Sequence, residues 1–229
     1  MRAASVPLAR PLARGIRMAL IIGFVLGFVG VVAWWPSTAT QGRLTFDPAQ
    51  MAFIETEGWR SYYDRNWMRA LGLMLELNHD VFGLRWPDAI LAAYYSTRAQ
   101  IAFAGANNNV PLAQEYIAKY YGVIARARGL RYDPTRAAEA EMRYWIVHRQ
   151  VAAQPDNPAP LVDSLADLHA TLFDIPAEAA RASGVERTAA AQAVDRITGH
   201  RSTDVAADWR EVETRLRAGY EIVARAMGE

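Results

Sequence analysis

The chain has 229 residues, with 25 basic against 24 acidic side chains, a formal net charge of +1 and no cysteine. Without cysteine there are no disulfides, thiolate metal ligands, thiol nucleophiles or lipidated N-terminal cysteine. A near-neutral chain with no basic run lacks an electrostatic footprint for nucleic acid, which excludes that partner class.

Residues 1–17 carry Arg2, Arg10, Arg14 and Arg17 and no acid, and residues 18–35 carry no charge. In helical form the uncharged run spans about 27 Å, enough to cross a hydrocarbon core. The arginines on its N-terminal side predict a single transmembrane signal-anchor helix, with a cytoplasmic N-terminus and everything beyond Trp35 extracytoplasmic. Trp34 and Trp35 suit the outer interface and Pro36 ends the helix. Ser37, Thr38 and Ala39 also suit a signal peptidase cutting after Ala39, but the run is longer than the roughly 7–15 apolar residues of a removable signal. Gly23 and Gly27 form a GxxxG step through which two such helices could pair as a homodimer. Setting the basic N-terminus aside leaves 21 basic and 24 acidic side chains, a net charge of −3.

Residues 36–46 read as a polar linker, and residues 47–229 as one all-α extracytoplasmic domain. Asp47-Pro48, Trp86-Pro87, Val110-Pro111, Asp133-Pro134 and Ile175-Pro176 place proline at first helical positions, two of them behind a capping aspartate. Gly83, Gly105, Gly129 and Gly199 close segments. The predicted helices span 48–82 with a bend at Gly58, 87–104, 111–128, 134–152, 161–173, 176–198 and 203–227. Tyr63, Trp67, Ala70, Met74, Leu77 and Val81 recur at helical spacing and predict one buried face. The segment 87–104 is apolar nearly all round and is expected at the centre. Short connections predict an antiparallel bundle of about six or seven helices, with the aromatic first part and the alanine-rich last third packed together.

The candidate chemistry is sparse. Glu76 and His79 stand three apart, as in di-iron carboxylate bundles, but no second copy exists. Glu141 and His148 share a helix face with Trp145 between them; at seven residues, about 10 Å, they suit a general acid/base pair or half-buried groups satisfied by arginines or backbone on a neighbouring helix. His169 and His200 read as structural. Arg98, within the apolar 87–104 helix, needs a buried partner, for which Glu57, Asp64, Glu115 and Glu141 are open. Tyr62-Tyr63, Tyr94-Tyr95 and Tyr120-Tyr121, with Trp59, form an aromatic set for a core, a pocket or a partner surface. Asn107 to Asn109 suit a turn tolerant of left-handed backbone.

No phosphate loop, dinucleotide-binding glycine motif, nucleophile elbow or zinc motif is present, and no cofactor or metal is expected. The leading expectation is a non-catalytic, membrane-anchored interaction module that binds another membrane or envelope protein through Trp59, Tyr62 and Arg65. The alternatives are a ligand-binding or sensory ectodomain, with a pocket around Tyr94, Tyr95, Tyr120 and Arg98, and an enzyme using Glu141 and His148. An internal cavity above roughly 300 Å³ favours the ligand class, and an exposed aromatic patch favours the partner class.

Overall fold

A computed structural model describes residues 44–228, all within one compact unit. The anchor predicted over 18–35, the Gly23 and Gly27 step, the cleavage position after Ala39 and most of the linker lie outside the described residues. Among the described residues no helix is long and apolar enough to cross a membrane.

The described residues form α-helices and no strand. These are α1 (Pro48–Tyr63), α2 (Trp67–Glu76), continued by a π turn (Leu77–Val81), α3 (Trp86–Phe103), α4 (Val110–Arg128), α5 (Pro134–Ala153), α6 (Ala159–Phe173), α7 (Ala177–Thr198) and α8 (Val205–Met227). Caps set several starts, because a side-chain oxygen satisfies a first-turn amide that has no intrahelical partner. Asp47 Oδ1 accepts from the Ala49 amide at 2.8 Å, Asp133 Oδ1 from Thr135 at 2.8 Å, and Asp204 Oδ1 from Ala207 at 2.9 Å.

The predicted first helix is two. The chain runs straight through Gly58 and breaks at Arg65, whose φ of 57° is left-handed. Asn66 then restarts it, its Oδ1 accepting from the Arg69 amide at 3.2 Å. That interruption rotates the expected Tyr63 to Val81 stripe off register. Ala70, Leu73 and Leu77 are buried, while Tyr63 is exposed. The asparagine triplet is not a left-handed turn either: Asn109 caps α4, accepting from Leu112 at 3.1 Å, and Gly105 takes the positive φ of 93°.

Each helix packs mainly against its neighbours in sequence, and α8 returns against α1, so the eight close into a ring. Connections of three to six residues bring each helix back along its predecessor. The alanine-rich α7 is where small side chains matter: Ala180, Ala190, Ala191 and Ala193 are buried, which lets α6 and α8 approach closely. The spacing predicts a buried face of Val205, Trp209, Val212, Leu216, Val223 and Met227 on α8, of which the last four are buried while Val205 is exposed and Trp209 half-buried; of Leu161, Leu165, Leu168 and Leu172 on α6 the first three are buried and Leu172 half-buried.

Helix α3 is not central. It packs mainly against α2 and α4, leaving Trp86 56 %, Ile90 56 % and Tyr94 46 % exposed, with Leu91 and Ile101 beside them. Arg98 is exposed on the same outward side, with its guanidinium 5.4 Å from the Tyr116 ring centroid. Solvent and an aromatic face solvate that charge, so it needs no buried carboxylate.

Candidate functional site

A ring of eight helices encloses space that its side chains must fill or leave open. Here they leave a cavity of about 570 Å³, to which every helix contributes. On α1 the lining residues Met51, Glu55, Gly58, Trp59 and Tyr62 follow helical spacing, as do Glu141, Tyr144, Trp145, His148 and Ala152 on α5. Ile117, Tyr120, Tyr121 and Ile124 supply the wall from α4. The lining is dominated by aromatic rings, with a few converging polar groups, the usual make-up of a small-molecule site.

Three polar groupings face this space. The first crosses from α7 to α1. Arg187, on the buried face of α7, is paired with Glu55, which also accepts the Tyr220 hydroxyl. Arg187 Nη1 donates to the Tyr220 hydroxyl at 3.2 Å and to His169 Nε2 at 3.0 Å. Since a guanidinium only donates, His169 carries its proton on Nδ1 and donates it to Ser183 Oγ at 2.8 Å, which donates to Gly219 O at 2.9 Å. The Ser183 proton therefore faces a carbonyl, and this serine–histidine contact is a structural relay. Burial, reinforced by Arg187, holds the His169 imidazole well below its ordinary pKa. Burial opposes the charge on Arg187, yet Glu55, Tyr220, Tyr144 and Glu141 keep its pKa above the ordinary value.

The second grouping is Glu141. Its Oε2 accepts from the Tyr121 hydroxyl at 2.8 Å and its Oε1 from Trp145 Nε1 at 2.7 Å. Burial pushes its pKa up, against the lowering field of Arg187 and these two donors. Burial likewise raises the phenols of Tyr120, Tyr121 and Tyr144, which stay neutral donors.

The third is His148, whose Nε2 lies 3.1 Å from Asp195 Oδ1 and whose ring stacks on Tyr144 at 6.1 Å between centroids. The exposed lining residues Tyr63, Arg65, Arg149 and Thr198 mark the mouth, where α1, α5 and α7 end. Arg149 ties this rim together, donating to Phe103 O at 2.6 Å, Gly105 O at 3.2 Å and the Tyr62 hydroxyl at 3.3 Å.

Of the residues singled out in sequence, Trp59, Tyr62, Arg65, Tyr120, Glu141 and His148 line the cavity. Tyr94, Tyr95 and Arg98 stand elsewhere, Tyr94 and Arg98 exposed and Tyr95 half-buried on the Tyr116 side of α3. Glu141 and His148 are satisfied by Tyr121, Trp145 and Asp195, and by no arginine. Among the described residues no group of three His, Asp or Glu can hold a metal; Arg69, on the same helix as Glu76, pairs with Glu57, and His79 packs 3.8 Å from the Trp86 ring. Glu55, Arg187 and Asp195 were missed. For Arg187 and Asp195 the available signal was charge on a small-residue stripe, with Ala180, Ser183, Gly184, Arg187, Ala191 and Val194 at helical spacing. Compared with known proteins, the chain matches no family model, no curated protein and no solved structure.

Proposed function

We propose that the helical domain binds a mostly apolar small molecule in its central cavity, as the ligand-binding or sensory part of a chain anchored to a membrane by residues 18–35. The observation that carries the reading is an aromatic-walled space of about 570 Å³ lined by all eight helices. That volume is well above what a close-packed domain leaves void and within the range of drug-sized sites. The extracytoplasmic placement rests on the arginine-rich N-terminus alone.

Native mass spectrometry of the full-length protein, gently extracted from its own membranes, tests this. A small-molecule adduct on the chain is expected, and Gly58→Trp should abolish it. Gly58 lines the cavity and a Cβ there would meet only Met74 Cε at 3.8 Å, so a bulky side chain at this position takes up space the ligand would occupy. An adduct that survives Gly58→Trp undiminished refutes the cavity as the site.

A second reading rests on a separate observation. Trp86, Ile90, Leu91, Tyr94 and Ile101 present an unpartnered apolar side of α3, which suits docking to another membrane or envelope protein. It moves the partner surface away from Trp59 and Tyr62, and an additional protein mass in the same spectrum, lost on Trp86→Ala, would favour it.

A further inference from the structure

We infer that the ligand of this cavity is an organic cation, an apolar body ending in a protonated amine seated against Glu141; the inference rests on the cavity being a ligand site. The cavity's other carboxylates each have a charged or imidazole partner. Glu55 is paired with Arg187, and Asp195 with His148. Glu141 has only neutral donors, the Tyr121 hydroxyl and the Trp145 indole, and forms no ion pair among the described residues.

A carboxylate removed from water is costly unless a counter-charge is supplied. Arg187 acts on Glu141 only through its field and donates it no hydrogen bond, since Nη2 serves Glu55 and Nη1 serves His169 and Tyr220. Of the three carboxylates that line the cavity, Glu55 has a guanidinium beside it and Asp195 an imidazole, while Glu141 has neither, and a cationic ligand supplies that counter-charge. The upward pull of burial on Glu141 is the same deficit seen from its proton.

The surroundings suit a cation. Tyr120, Tyr121, Tyr144 and Trp145 line the space around Glu141, and aromatic faces attract ammonium groups. Helices α1, α3, α5 and α7 all end at the mouth, each presenting the partially negative end of its dipole. Arg149 is occupied there, capping the Phe103 and Gly105 carbonyls.

The test uses three probes with one phenylbutyl body: phenylbutylamine, phenylbutanol and phenylpentanoate. Each is titrated by calorimetry into the full-length chain in lipid nanodiscs, against protein-free nanodiscs. The amine should bind about tenfold or more tighter than the alcohol, the range expected of one charge-assisted hydrogen bond. Glu141→Gln should reduce amine affinity at least tenfold and remove the preference for amine over alcohol, with an unchanged circular dichroism spectrum showing that the variant is folded. Equal binding of amine and alcohol overturns the cation while leaving the cavity reading intact. Preference for phenylpentanoate overturns it in favour of an anion. Binding of none of the three overturns the cavity reading and the inference with it.

Discussion

Arg187→Met removes the buried guanidinium that faces the cavity's inner polar network and isolates Glu55, whose remaining donor is the Tyr220 hydroxyl. The side chains of Arg187 and Glu55 are 8 % and 16 % exposed, so solvent screens the loss poorly. Stranding one member of such a pair costs about 3–5 kcal/mol. For a domain of this size that corresponds to a fall in Tm of roughly 6–20 °C. Adding Glu55→Gln should recover most of the loss, since a neutral amide still accepts from Tyr220 and no charge is left behind. The recovery stays incomplete by about 1 kcal/mol, because His169 Nε2 also loses its donor. Chemical denaturation of the four corners of this double-mutant cycle measures both terms. A loss under about 1 kcal/mol for Arg187→Met, or a double variant less stable than the single one, refutes the argument that Glu55 is held by Arg187.

Two further outcomes follow from the same interior. Because His169 has a folded pKa well below its ordinary 6.5, the unfolded chain takes up a proton that the folded chain refuses once the pH drops below that value. Its contribution to stability is therefore lost as pH falls from about 6.5, at up to about 1.4 kcal/mol per pH unit. Glu141 acts in the opposite direction. Its folded pKa lies above 4.5, so stability falls as pH rises through the window between 4.5 and the raised value. His169→Gln should flatten the denaturation midpoint against pH below about 6.5, and an unchanged slope would exclude His169 as its source. Gly184→Ala should destabilise by about 1 kcal/mol or more despite the gain in helix propensity, because the new Cβ would lie 2.8 Å from Val162 O and 3.2 Å from the Ala166 amide. Urea unfolding that shows Gly184→Ala to be as stable as the parent would mean that α6 and α7 separate freely.

Local signals determined most of the secondary structure. Proline after aspartate starts α1 and α5, and glycine with positive φ follows the π turn, α3 and α4, because these features act within one helical turn. The all-helical class was legible for the same reason: its periodicities need no distant partner. The break at Arg65 was not, since a left-handed arginine leaves no composition signal and only the capping capacity of Asn66 marks it.

Closure of the ring, by contrast, is a property of the whole chain. Periodicity tells which side of a helix is apolar and is silent on how many neighbours it meets, so α3 read as central although α8 closes on α1 and leaves α3 with an outward aromatic side. The same blindness assigned the buried guanidinium to Arg98 in place of Arg187, which sits among alanines whose burial depends on α6 and α8. The sequence alone determined that Glu141, Trp145 and His148 share a face, because a helix sets that geometry by its own pitch. Only the tertiary structure decided that this face meets Glu55, Tyr121, Arg187 and Asp195 across a common cavity, since those residues come from three other helices and pairing between helices is set by packing.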